Sequence, residues 1–526
     1  MDTAAFFGAI DDSYNALFNS EWSWEETACA VLLSYDNVCR RDPVLAHVDI
    51  RKYGIMHALR WGRNAPSQVQ TVHGDDAQLG REILRAADEL RRRGSQYVGV
   101  FACRQLLNKK VFSILRYAPS SIEATVDPDW FSYQQLDDVL DEADADDASV
   151  DIELLDRLRN DVVVAFETTT SKTLEDFYLS ESRLFCRHRI PAGAVFSTSY
   201  RMPSNWECLG VSLEAIRQIG VSLFLLATMH TCLTNSVAVD DCDIHRLLTW
   251  RKTNLVSFLA DSSNLPTSTV QQIIALLIYQ RDVSPPDIAL QPFLQVNDDC
   301  LVASPWLLLS SNYERNWLSL LARTNKKEFD DCSEAFANAM SRELVSWLEN
   351  AGFMAKAGLR LRDGSTDLDL IVWSPAERFL LTAELKVMIQ TADVMEVLNR
   401  GESTARVSIE KQLPKHKKAL DENCMDIVER AFGKVESVAA YDSLLVCRGF
   451  CGTSRLPKTF PCVDERLFKK AITQYGNLVD AVTWLRSYLW LPVSGRDFAV
   501  ETITIRAPNG FTITFPEMVV NKSVTG

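Results

Sequence analysis

Apolar and polar positions along this chain follow two periods, and the sharpest pattern lies between Ser365 and Ile389 (STDLDLIVWSPAERFLLTAELKVMI). Two apolar-rich runs, 367–373 and 379–387, flank Ser374-Pro375-Ala376-Glu377-Arg378, whose proline and charged residues suit a turn. The pattern predicts a β-hairpin. In a symmetric hairpin, setting Asp369 opposite Glu384 also sets Asp367 opposite Lys386, Leu370 opposite Ala383 and Val372 opposite Leu381. Successive strand residues point to opposite faces. This register therefore gathers Leu368, Leu370, Val372, Leu381, Ala383, Leu385 and Val387 on one apolar face and Asp367, Asp369, Thr382, Glu384 and Lys386 on the other. A slip of one residue would drive the carboxylates into the core.

Elsewhere the periodicity is coarser. Residues 1 to about 136 hold helix-period segments (ETACAVLLSYDNVC, QLGREILRAADELRRR) and short β-rich pieces such as YVGVFAC at 97–103. The acidic run from Leu136 to Asp151 reads as a solvated helix face or a linker, with a boundary near residue 150. A mainly helical stretch continues to about 290, closing on an amphipathic segment at 268–280 and a break at Pro285-Pro286. Asn297-Asp298-Asp299 signals a hairpin turn, and the polar patch Thr324-Asn325-Lys326-Lys327 marks a boundary near 325. Beyond it the pattern predicts helix, strand, hairpin, helix, strand, helix and a last hairpin, with Asn509-Gly510 suited to a type I′ turn. Three units are thus expected: 1–150, α/β or helical; 151–325, mainly helical; and 326–526, α/β.

Composition narrows the function classes. A chain of 526 residues, 47% hydrophobic and 24% charged, is not globally disordered. Thirteen cysteines behind a start, Met1-Asp2-Thr3-Ala4, that lacks a secretory pattern point to a reducing, cytoplasmic setting. The apolar window Ile219–Val239 has spanning length, but His230 and Asn235 within it make a buried helix, not a membrane span, the expectation. With a net charge of −15, any surface that binds phosphate must be a local one.

The chemistry sits on the predicted hairpin. Directly opposed residues have Cβ atoms about 4.5–5.5 Å apart, so Asp369 and Glu384 would bring two carboxylates to a distance that one divalent cation bridges. Without a cation they repel. Such hard oxygen ligands suit Mg2+ (or Mn2+), which completes its shell with water and phosphate oxygens. Lys386 shares the face. A metal that acidifies water and an ammonium that steadies developing charge are what phosphodiester hydrolysis needs.

Asp369, a fourteen-residue gap and Glu384-x-Lys386, with a helix before and a helix after, resembles the PD-(D/E)xK nuclease superfamily over about residues 334–450. The superfamily includes restriction endonucleases and recombination nucleases; here Leu368 stands where the motif has its proline. The resemblance implies a restriction-endonuclease-like mixed sheet flanked by helices, preceded by a mainly helical N-terminal region. It also implies catalytic Asp369, Glu384 and Lys386, metal ligands Asp369 and Glu384, and nucleic acid, DNA by expectation, as substrate. Bacterial restriction or phage defence is the setting that analogy suggests. Glu343 or Glu334, on the helix around 334–350, is the candidate for a further metal-site glutamate. The stretch Glu410–Lys418 is similar to the Gln-x-x-x-Tyr helix of RecB-like members, with His416 in the tyrosine position and Pro414 as the point where a helix can restart. Gln412, Lys415 and Lys417 are its candidate nucleic-acid contacts.

The competing readings are a nuclease fold kept as an inactive binding scaffold, hydrolysis of another phosphate ester, and a solvated hairpin in which Asp367 pairs with Lys386. The N-terminal portion is expected to serve sensing, specificity or assembly, through self-association or a protein partner. His230-x-Cys232 with Cys242-x-x-His245 is poorly spaced for zinc, and no Walker loop, GxSxG elbow or HExxH occurs.

Overall fold

A computed structural model of the chain describes residues 3–16, 22–42, 49–62, 80–127, 129–145, 152–171, 173–182, 184, 202, 206–236, 241, 243–281, 287–360, 367–389 and 394–519. Over these residues the chain is a mixed α/β protein. In the C-terminal core, helix α1 (Lys326–Asn350) leads into strands β1 (Met354–Arg360), β2 (Asp367–Ser374) and β3 (Phe379–Val387). Helix α2 (Leu413–Phe432) follows, then β4 (Ala440–Arg448), β5 (Cys462–Asp464), α3 (Glu465–Tyr475) and α4 (Leu478–Ser487). The sheet order is β5-β4-β3-β2-β1. The β1–β2 and β2–β3 pairs are antiparallel; β3–β4 and β4–β5 are parallel.

The hairpin forms in the predicted register: Leu370 pairs with Ala383, Val372 with Leu381, and Ser374 with Phe379. Its faces differ from expectation, because both are covered. Leu370, Val372, Leu381, Ala383 and Leu385 pack with Met340, Leu344 and Leu348, which recur every fourth residue along α1. On the face expected to be polar, Ile371, Trp373 and Leu380 pack on Leu420, Ile427 and Val428 of α2. Leu368 also joins this second cluster. Beside it Gly358 (φ +64°), a left-handed conformation that glycine adopts without steric penalty, interrupts the β1–β2 ladder between Ala357–Leu370 and Leu359–Leu368.

Strand pairing and packing cut across the expected unit boundaries. The terminal strands 499–506 and 512–519 join strands 112–118 and 121–126 in one four-stranded sheet, with 512–519 parallel to 121–126. The turn of this last hairpin is not type I′. Pro508 locks its own φ negative, Gly510 alone takes the left-handed conformation (φ +82°), and Gly510 N–H donates to Ala507 O at 3.0 Å, which makes a type I turn closed by a glycine bulge.

The stretch beginning at Leu136 is no linker at its start: it lies in the helix Asp129–Ala145, whose Tyr133, Leu136 and Leu140 share the core of α1. At the second boundary Asn325 alone separates the helix Tyr313–Thr324 from α1. The Asn297 turn forms as expected, the side-chain oxygen accepting from the N–H groups of Asp299 (3.0 Å) and Cys300 (2.8 Å). Pro285-Pro286 falls outside the described residues.

Residues 97–103, read as β-rich, belong instead to the helix Arg81–Asn108. Ile83, Ala87, Leu90, Tyr97 and Val100 keep a helical stripe running through the segment, and this longer period overrides the local β propensity. The apolar window forms the helix Leu213–Ser236. Its span Leu213–Asn235 is the one described helix long and apolar enough to cross a membrane, and its most apolar stretch is 72% buried within the protein.

The helices 49–62 and 81–108 cross at a pair of glycines, where a Cβ on Gly94 would sit 2.0 Å from Gly54 O. Gly94→Ala should therefore destabilise the protein by about 1–3 kcal/mol in urea unfolding. Gly8→Ala, in a helix where nothing lies within 4 Å, should stabilise by up to about 1 kcal/mol. Equal unfolding midpoints for Gly94→Ala and wild type would contradict the close crossing.

Candidate functional site

Alternation along β3 aims Leu380, Thr382, Glu384 and Lys386 at the same side of the sheet, and the surroundings become wetter in that order. Leu380 is wholly buried beside Trp373, and Thr382 Oγ1 lies 2.8 Å from Ser443 Oγ of β4. Glu384 is only 3% exposed, whereas Lys386 is partly open to solvent. Ladder pairing of β2 with β3 ends at Leu370–Ala383, and one step further Asp369 faces Glu384. There the side chain replaces the backbone as acceptor: Asp369 Oδ2 takes the N–H of Leu385 at 2.9 Å.

The expected trio is brought together. Lys386 Nζ lies 2.6 Å from Glu384 Oε1. Burial, then the neighbouring Asp369 carboxylate, pushes the Glu384 carboxyl above its ordinary range, and Lys386 only partly offsets this. Burial likewise raises Asp369, against the pull of the Leu385 N–H and the Lys386 ammonium. Asp367 does not pair with Lys386; it lies at the exposed start of β2, with Arg360 Nε 4.0 Å from its Oδ1.

His416 stood in the tyrosine position of the motif-like helix, but sequence reasoning did not place its ring at the carboxylates. Leu413, His416 and Leu420 recur at helical spacing on the buried stripe of α2, a signal that could have placed the imidazole inside. The ring is fully buried, and its Nε2 lies 3.3 Å from Glu384 Oε2. The Asp367 backbone holds the ring from β2, and no side chain makes an aligned hydrogen bond to either ring nitrogen. Burial pulls the imidazole down to about 4, so it is neutral at pH 7.

Pro414 does not restart the helix. Helical structure runs from Val394 through Pro414, with two wide turns, Gly401–Ala405 and Ser408–Gln412, and α2 kinks only later, at Asn423 (φ −142°, ψ 26°). In the second wide turn the N–H of Leu413 reaches Ser408 O, so the ladder is already shifted where the proline removes a donor. Gln412, one turn before His416, accepts from Ser408 Oγ at 2.6 Å. Lys415 and Lys417 flank His416 in sequence and are exposed, as are Lys411 and Lys418.

Neither candidate glutamate of α1 joins the carboxylates. Glu343 Oε2 lies 2.6 Å from Arg448, which also holds Glu465, and these contacts are on the α1 and α3 side of the sheet, away from Glu384. Glu334 is exposed near the start of α1. No group of three His, Cys, Asp or Glu side chains poised to hold a metal occurs among the described residues. Two hard carboxylates that repel each other nevertheless fit a cation of the Mg2+ class, which takes one or two protein carboxylates and fills its shell with water and phosphate. At the other candidate metal group, Nε2 of His230 lies 3.2 Å from the Arg246 carbonyl and Nδ1 3.3 Å from the Tyr178 hydroxyl, while Cys242 falls outside the described residues.

The chain matches no family model, no curated protein and no solved structure.

The two carboxyls titrate higher in the folded chain than in the unfolded one. Their contribution to stability is thus fully present below the unfolded values, 3.8 for Asp369 and 4.5 for Glu384, and is lost as pH rises through the shifted ones. Asp369→Asn, whose amide oxygen can still accept from Leu385, should raise the melting temperature at pH 7 in EDTA, by about 1 °C for each kcal/mol of repulsion and desolvation removed in a chain of 526 residues. The gain should vanish as pH falls toward 3.8. A gain independent of pH, read by scanning fluorimetry, would refute the electrostatic account.

Proposed function

We propose that the C-terminal core is a metal-dependent nuclease of the PD-(D/E)xK type, with Asp369 and Glu384 as metal ligands and Lys386 as the catalytic ammonium. One observation carries this reading: Asp369, Glu384 and Lys386 converge at the end of the β2–β3 ladder, where burial and mutual repulsion hold both carboxyls above their ordinary range. The mixed sheet between helices, with a helix before the hairpin and another after it, supports the same assignment.

A divalent cation bound there supplies polarisation of a phosphoryl oxygen and a water of lowered pKa. The chain's own residues do the rest. The Leu385 N–H fixes the Asp369 carboxylate, so one oxygen keeps its direction while the other is left for a ligand. Lys386, at the open end of the row, can move its ammonium from Glu384 to the attacking water and the developing negative charge. Exposed Lys415 and Lys417 give an otherwise acidic chain a local basic surface for the phosphates of DNA, with Gln412 on the same turn.

The reading as an inactive scaffold is favoured by one observation. Lys386 already lies 2.6 Å from Glu384, so a protein cation stands beside the carboxylate without a metal.

Cleavage of labelled duplex and single strand in Mg2+, Mn2+ or EDTA separates the two. Wild type should cut only with metal, Lys386→Ala should lose about 10²–10⁴-fold in turnover with metal binding retained, and Asp369→Ala should abolish cleavage. Equal cutting by wild type and both variants moves catalysis elsewhere; binding without cutting under every condition leaves the scaffold. In salt titrations of DNA binding, Lys415→Ala with Lys417→Ala should flatten the log–log slope by about 0.9 per lost phosphate contact. An unchanged slope removes this turn from the binding surface.

A further inference from the structure

We propose that His416 is a positioning residue of this site, holding the Glu384 carboxylate from the α2 side so that its oxygens keep a fixed direction toward the metal position. The inference rests on the nuclease reading for its chemistry but on separate observations for its geometry.

The imidazole is fully buried, its Nε2 lies 3.3 Å from Glu384 Oε2, and the Asp367 backbone holds the ring from β2. Packing alone does not account for it. The residues before and after it on the same stripe, Leu413 and Leu420, are apolar and wholly buried, and a third leucine would fill the space without burying a polar ring. The polar ring faces Glu384, whose other oxygen is taken by Lys386 at 2.6 Å, and the Lys386 charge also reaches the imidazole.

The two contacts are unequal in kind. Lys386 brings a positive charge that competes with any cation, whereas the imidazole meets the carboxylate from the other side, Nε2 against Oε2, inside the packed face of α2. The buried ring against Oε2 therefore restricts how Glu384 can turn when the ammonium leaves Oε1. Second contacts of this kind orient metal-binding groups and commonly change activity or affinity by 10–100-fold when removed.

The test uses the full chain with His416→Leu and His416→Gln, the latter returning an amide N–H toward Oε2. His416→Leu should lower kcat by about 10–100-fold with KM nearly unchanged, and His416→Gln should recover most of the loss. Equal losses in both variants are a packing defect and overturn the proposal, as does wild-type kcat in His416→Leu.

A second readout needs no activity. In EDTA, the melting shift caused by His416→Leu should differ between the wild-type and Glu384→Gln backgrounds, because interacting side chains are non-additive. Additive shifts mean that the two side chains do not interact and overturn the inference. Should wild type cut nothing under any condition, the nuclease reading fails, and the melting comparison still decides whether His416 holds Glu384.

Discussion

Parallel neighbours cannot be joined by a tight turn, and this constraint organises the C-terminal core. Because β3 and β4 run parallel, the chain must cross over between them, and it does so through the long helical stretch that ends in α2. The crossover lays α2 against the face of β3 that carries Thr382, Glu384 and Lys386. Their burial, the raised carboxyls and the contact of His416 with Glu384 all follow from that placement. An antiparallel fourth strand on a short turn would have left the same side chains in water.

Electrostatics then decides what the buried row can be. Taking a carboxylate out of water is costly, and a pair such as Glu384 with Lys386 regains only part of that, which is why well-packed apolar residues often match or exceed a buried ion pair in stability. The row adds a second carboxylate, Asp369, and a fully buried imidazole, His416. Each would be removed if stability were the only requirement. Their concentration at the wet end of an otherwise apolar face is the physical basis for assigning the chemistry there.

The core does not stand apart from the rest of the chain. The helix Asp129–Ala145 shares its hydrophobic cluster, with Lys458 Nζ 2.9 Å from Asp129 Oδ2 and Cys451 Sγ 3.2 Å from Asp137 Oδ1. The terminal hairpin carries the chain back to the strands near residue 120. Strands near residue 120 and strands of residues 499–519 thereby share one sheet, so the N-terminal region and the core are coupled through shared packing and strand pairing.

What the sequence determined is local and periodic. Two-residue alternation set the hairpin, its register and the convergence of Asp369, Glu384 and Lys386, because a one-residue slip would have buried charge against apolar neighbours. Where periods competed, the longer one won, as at 97–103, and the acidic run at 136–140 folded as helix because Tyr133, Leu136 and Leu140 share a face. Tertiary structure alone decided the remainder. Whether a polar strand face meets water or a helix depends on a crossover thirty residues away, and so do the burial of Glu384 and the role open to His416. Glu343 shows the same limit: its helix position was legible, but the side of the sheet it would meet, with Arg448 waiting there, was fixed only by packing between distant segments.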